Sequence, residues 1–205
     1  MHLHLECTII LPMNADKQLS TKKRKPRMNA FERAVFMLGR RGYAEREMYN
    51  ALITKGFEET DAHNAVERLL EYKYLNDQTF AYERIRSRAL ISKWGKRRIH
   101  TELKNKGVPE HLIQEAFERF EAGSDERLNN KFNWQKEAST LLLKKYGAWP
   151  TYIKEDIEKA KDWEEKQAAM KESHKQQAKR INFLLRRGYS SEQAIKAFEH
   201  SKDEI

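Results

Sequence analysis

The stretch Leu103–Phe120, "LKNKGVPEHLIQEAFERF", is one of three versions of a single pattern; the others are Leu52–Leu69, "LITKGFEETDAHNAVERL", and Leu184–Glu199, "LLRRGYSSEQAIKAFE". In each, a leucine is followed at three and four positions by a basic residue and a glycine (Lys55-Gly56, Lys106-Gly107, Arg187-Gly188), then by an apolar residue, Phe57, Val108 or Tyr189. Counting from the glycines, Ala62, Ile113 and Ala194 stand at plus six, Ala65, Ala116 and Ala197 at plus nine, and Val66, Phe117 and Phe198 at plus ten, without a gap. Apolar residues three and four apart form one stripe of an amphipathic helix, and a glycine after a helical run supplies the left-handed residue that ends it. Each copy therefore reads helix, glycine stop, helix.

Outward from these copies the chain divides into units of about fifty residues. The first, 29–76, holds "AFERAVFMLGRR", "EREMYNALITK" and a helix from Asp61 to Tyr72; Asn29 with Glu32 makes the opening cap. The second, 77–122, runs from Asp77 as N-cap through "QTFAYERIRSRALISKW", a break at Gly95, "KRRIHTELKNK", Gly107 and a helix opened by Pro109. A polar link, "EAGSDERLNNKFN", leads to the third, 134–200, whose first helix is "WQKEASTLLLKKYG". There the spacing between repeat glycines stretches from 51 to 81 residues, because a Glu-, Lys-, Gln- and Ala-rich insertion at 154–180 extends the second helix from about Tyr152 onward. Residues 1–28 read as a flexible N-terminal tail, and Met13 or Met28 is a candidate start. The expected fold is all-α: an elongated array of three tandem three-helix modules, with neighbours stacked because units this small bury little core alone.

Composition narrows the partners. Of 205 residues, 39% are hydrophobic and 35% charged, with a net charge of +9, which implies an acidic polymer or an acidic protein groove. The charge is concentrated in "KKRKPR", Lys22–Arg27, and between Arg84 and Lys106, where nine basic residues face the single acid Glu102. A solvated face is the bland reading of that run; eight excess charges with an aromatic at the bend favour contact with phosphates or an acidic surface. Trp94 either packs between helices or stacks on a base, and Trp134, Trp149 and Trp163 read as core or contact residues. A lone cysteine, Cys7, sets a reduced, cytoplasmic setting as the default, and no segment is long and apolar enough to span a membrane.

The chemistry of an enzyme is not legible. The seven histidines are scattered with no metal-ligand spacing, phosphate-cradling glycine motifs and nucleophile motifs are missing, and no cofactor is implied. "GRRG", Gly39–Gly42, matches the KH-domain loop, but that domain needs a sheet; an arginine-rich helix end is the better reading.

Several segments carry a family likeness: Tyr74-Leu75-Asn76-Asp77 with Phe80-Ala81; the run Gly95-Lys96, Ile99, Glu102-Leu103, Lys106-Gly107; and Phe183-Leu184 with Arg186-Arg187-Gly188-Tyr189. Over about Asn29–His200 the chain resembles the RecX family of bacterial recombination regulators. It departs from that family's pattern in Asn76, where Asp is usual, in Ala44, where Ser is frequent, and in the length of the insertion. The resemblance implies a non-enzymatic protein that lodges in the groove of the RecA filament and limits filament extension, ATP hydrolysis and strand exchange in DNA repair and the SOS response; the long open face of such an array is compatible with a monomer. On this reading the contact residues are Arg84, Arg86, Arg88, Lys93, Lys96, Arg97 and Arg98 of the second unit, meeting acidic filament surface or bound DNA, single- or double-stranded, with Arg186 and Arg187 reaching a neighbouring subunit. The competing reading is a basic protein that coats nucleic acid and acts by competition; a helical scaffold for another partner is a third.

Overall fold

The computed structural model describes residues 28–123 and 131–203, and the basic tail, Cys7 and most of the polar link lie outside them. The described residues form ten helices and no strand: α1 (Ala30–Leu38), α2 (Glu45–Thr54), α3 (Glu59–Glu71), α4 (Asp77–Leu90), α5 (Lys96–Asn105), α6 (Glu110–Glu121), α7 (Trp134–Tyr146), α8 (Thr151–Lys159), α9 (Trp163–Arg187) and α10 (Ser191–Asp203).

The repeated letters are the core letters. Leu52, Leu103 and Leu184 are fully buried, as are Ala62, Ile113 and Ala194, and the positions at plus nine and plus ten lie beside them. The glycines have φ of 89°, 85° and 90° at Gly56, Gly107 and Gly188, a left-handed turn that a side chain disfavours. In each copy the apolar residue after the glycine sends its amide back to the leucine carbonyl: Phe57 to Leu52 at 3.3 Å, Val108 to Leu103 at 3.2 Å, Tyr189 to Leu184 at 3.2 Å. This is the six-to-one bond of a Schellman stop, and it explains why leucine, glycine and the following apolar residue recur together.

The helices group by packing. α1 and α2 lie on α3; α4 and α5 pack together, with α6 against both; α7 and α9 lie on α10, and α8 lies along α9. Two cores result. One is confined to α1–α3 with Phe57 and Leu75; the other draws on α4–α7, α9 and α10 and takes in Ala44. The polar link thus does not part the second and third units. Phe132, near the end of the link, and Trp134, just after it, join Phe120, with ring centres 4.7 Å (Phe132) and 6.1 Å (Trp134) from Phe120.

Local chemistry shifts some expected boundaries. The Asn29–Glu32 capping box is present in both directions, at 2.8 and 3.1 Å. The cap of α4 is Asn76, which accepts from the Thr79 amide at 2.9 Å; Asp77 instead accepts the Glu45 amide at 2.8 Å and so ties α4 to the start of α2. Burial pushes the Asp77 carboxyl above its usual range, opposed by that backbone bond. Pro109 stands at the N-cap of α6 rather than inside it. The inserted segment is two helices, not one. α8 ends at Lys159, Ala160 turns out of helical geometry, and Asp162 recaps the chain by accepting from the Glu165 amide at 2.8 Å. Trp163, expected to pack, is 70% exposed at the start of α9.

Candidate functional site

The helices that end at the repeated glycines, α2, α5 and α9, meet end to end. Gly95, the N-cap of α5, donates to the Arg187 carbonyl at 2.8 Å, and the Arg97 amide donates to the Gly188 carbonyl at 3.0 Å. The open donors at the start of α5 therefore satisfy the open carbonyls at the end of α9, with the two helix dipoles aligned head to tail. The approach is so close that a Cβ on Gly95 would fall inside the backbone of Gly188 and Tyr189. Arg187 Nη1 donates to the Ser92 carbonyl at 2.9 Å and secures the joint. Tyr189 is buried beneath it, and burial beside Glu137 raises its phenol to about 12. At the other end of α5, Gly107 lies against the Arg46 side chain and Lys106 Nζ pairs with Glu47 of α2.

An open groove of about 730 Å³ lies across these joints, lined by Glu47 and Asn50 of α2, Trp94, residues of α5 including Arg98 and Glu102, Lys106, and Arg186 of α9. Its acids are already engaged. Burial raises the Glu47 carboxyl, but hydrogen bonds and charge from Arg41 and Lys106 outweigh it and hold the group below the usual range. Glu102 behaves likewise under Arg88 and Arg84.

That second cluster takes up two of the nine bases between Arg84 and Lys106, and two more find other carboxylates. Arg84 Nε donates to Glu102 Oε1 at 2.9 Å, and Arg88 Nε to Oε2 at 2.8 Å, with the second nitrogen of each also on Oε1. Lys93 pairs with Glu137 at 2.9 Å and Lys96 with Glu121 at 2.8 Å. Arg86 stands 3.8 Å from Glu83 and does not line the groove. Trp94 has two guanidinium groups close to its ring, Arg88 at 4.4 Å and Arg98 at 3.9 Å from the centre. Of the nine expected contact residues, only Arg98 and Arg186 come together at the groove. Arg97 is exposed on the neighbouring face of α5, where a smaller hollow of about 440 Å³ includes His100, Ser190 and Gln193. Neither Arg97 nor Arg186 has a carboxylate partner among the described residues.

Sequence reasoning passed over Glu47 and gave Glu102 no role. The signal for Glu102 was present: one acid within nine bases is where those bases converge. For Glu47 the nearby Arg41 gives no sign of the second partner, Lys106, which lies 59 residues away. Among the described residues no group of three His, Cys, Asp or Glu side chains is placed to hold a metal, and no helix is long and apolar enough to cross a membrane.

A row of small helical units, two of three helices and the third of four, with an open groove at its joints defines an array of repeated helical domains. Comparison with known proteins makes this specific: residues 30–69 match the first three-helix domain of RecX and residues 76–116 the second. The regulatory protein RecX of Vibrio campbellii is 30% identical over 172 residues, covering 84% of this chain and 91% of that protein. That of Legionella pneumophila is 28% identical over 173 residues, covering 84% and 95%. A crystal structure of RecX from Lactobacillus salivarius has the same fold, with a TM-score of 0.58 at 18% identity over 86% of this chain and 96% of that one. The chain belongs to the RecX family of regulatory proteins.

Proposed function

We propose that the chain is a negative regulator of the RecA recombinase, acting in the cytoplasm as a monomer that seats in the groove of the RecA filament and limits its extension, ATP hydrolysis and strand exchange. Family membership over most of the chain supports the partner. The observation that carries the mode of action is the end-to-end row of α2, α5 and α9. One groove is shared by three units, so contacts made by separate units act together in binding an extended, repeating object. The exposed, unpaired charges of Arg97 and Arg186, with Arg98 beside them, are the groups left to meet acidic surface. Pairing of Arg84, Arg88, Lys93 and Lys96 inside the protein weighs against simple coating of nucleic acid by the middle of the chain.

The test is ATP hydrolysis by the recombinase on single-stranded DNA as this protein is titrated in. Loss of hydrolysis is expected at amounts far below one copy per recombinase, and Arg97→Glu with Arg186→Glu is expected to move the titration to roughly tenfold higher concentration. No inhibition at any ratio refutes the function. Unchanged inhibition by the double variant removes these two residues from the contact and leaves the function standing.

A further inference from the structure

The first unit carries an aromatic surface apart from the groove, in which Phe31 also packs against the unit's core while Tyr72 and Tyr74 extend the row outward. α3 ends at Glu71, and the chain turns through Tyr72, Lys73 and Tyr74 before Leu75 returns to the core. Lys73 makes the turn at φ 58°, a left-handed conformation that costs free energy in a residue with a side chain. Amide bonds from Lys73 to Leu70 at 2.9 Å and from Tyr74 to Leu69 at 2.8 Å hold it there. The result is two tyrosines turned outward, 56% and 59% exposed, with ring centres 6.0 Å apart. Phe31 of α1 continues the row 5.9 Å from Tyr72, and the Arg68 guanidinium lies 4.2 Å from the centre of the Phe31 ring.

Cations are interleaved with the rings: Lys73 stands between the tyrosines and Arg68 one turn before them, among the carboxylates of Glu32, which accepts from the Asn29 amide, Glu67, beside His63, and Glu71. In sequence, five of the six residues Lys22–Arg27 ahead of α1 are basic. Exposed rings interleaved with cations are the means by which proteins hold unpaired bases, since every base has a face to stack and every nucleotide a phosphate. We propose that Phe31, Tyr72 and Tyr74, with Arg68 and Lys73, form a stacking platform for single-stranded nucleic acid, separate from the groove at α2, α5 and α9.

The experiment needs no recombinase: fluorescence anisotropy of a labelled oligothymidylate of about twenty nucleotides with the full chain, at two salt concentrations. Tyr72→Ala with Tyr74→Ala is expected to weaken binding roughly tenfold or more, while Tyr72→Phe with Tyr74→Phe stays near the parent, because the stacking faces are kept. Both pairs keep the parent's salt dependence, whereas Lys73→Glu lowers the slope by about one. The proposal is overturned if the parent does not bind, if the alanine pair binds as the parent does, or if the phenylalanine pair loses as much as the alanine pair. Tighter binding by the alanine pair also overturns it, since the tyrosines would then be holding something else, such as the chain's own tail.

Discussion

Replacing Glu102 with glutamine keeps the shape of the side chain and deletes the charge on which Arg84 and Arg88 converge. The arginines are 28% and 26% exposed and Glu102 17%, so the cluster lies between two limits. Removing one partner of a fully buried pair costs about 3–5 kcal/mol, while a surface pair is worth about 0–1 kcal/mol. Mostly buried, with both guanidinium groups on one carboxylate, the cluster should lose about 2 kcal/mol on substitution. The sign of the pH dependence follows from the lowered Glu102 carboxyl. Its contribution is full above the unfolded glutamate value of about 4.3 and is lost as pH falls through the folded value below it. Urea unfolding followed by circular dichroism should therefore separate parent and Glu102→Gln at pH 7 and bring them together under strong acid. A difference under about 0.5 kcal/mol at pH 7, or one that does not shrink on acidification, refutes the assignment of Glu102 as the hub.

Two other substitutions test the scaffold. Gly95→Ala drives a methyl group into the backbone of Gly188 and Tyr189, where nothing flexible can yield, and should cost about 2–4 kcal/mol in a thermal melt. Gly56→Ala, with the same left-handed φ but open space around it, should cost only about 1–2 kcal/mol; equal losses would refute the close joint. Arg180, 4% exposed, donates to the carbonyls of Tyr146, Gly147 and Ala148 at 2.9–3.2 Å, so Arg180→Met should destabilise by about 2–3 kcal/mol in urea unfolding. An unchanged midpoint would mean that water replaces those bonds without cost.

What could be read in advance was whatever repeats locally. Leu52, Leu103 and Leu184 announced their burial by their distance from a glycine, because a helix stop and an apolar stripe are both written within twenty residues. The fate of the basic run could not be read that way. Glu102 meets Arg84 across 18 positions, Glu121 meets Lys96 across 25 and Glu137 meets Lys93 across 44, so a patch that looks unbalanced in sequence is largely neutralised by folding. The break at Ala160 was hidden for a different reason. Lysine- and glutamate-rich sequence on both sides favours helix throughout, and only the Asp162 cap interrupts it. The tyrosine turn was hidden because Tyr74-Leu75-Asn76 reads as a boundary, while Lys73 carries no letter that marks a left-handed residue.

α5 is held at both ends, and this turns its length into a ruler. Its ten residues set the two joints about 15 Å apart and fix their relative rotation. One added residue would lengthen the span by about 1.5 Å and turn its far end by about 100°, carrying Arg186 out of line with Glu47. The amino-terminal half of α9 sits under no such constraint, because only its carboxy-terminal end enters a joint. Extra length can collect there without altering the phase of the units, and there the chain carries its insertion.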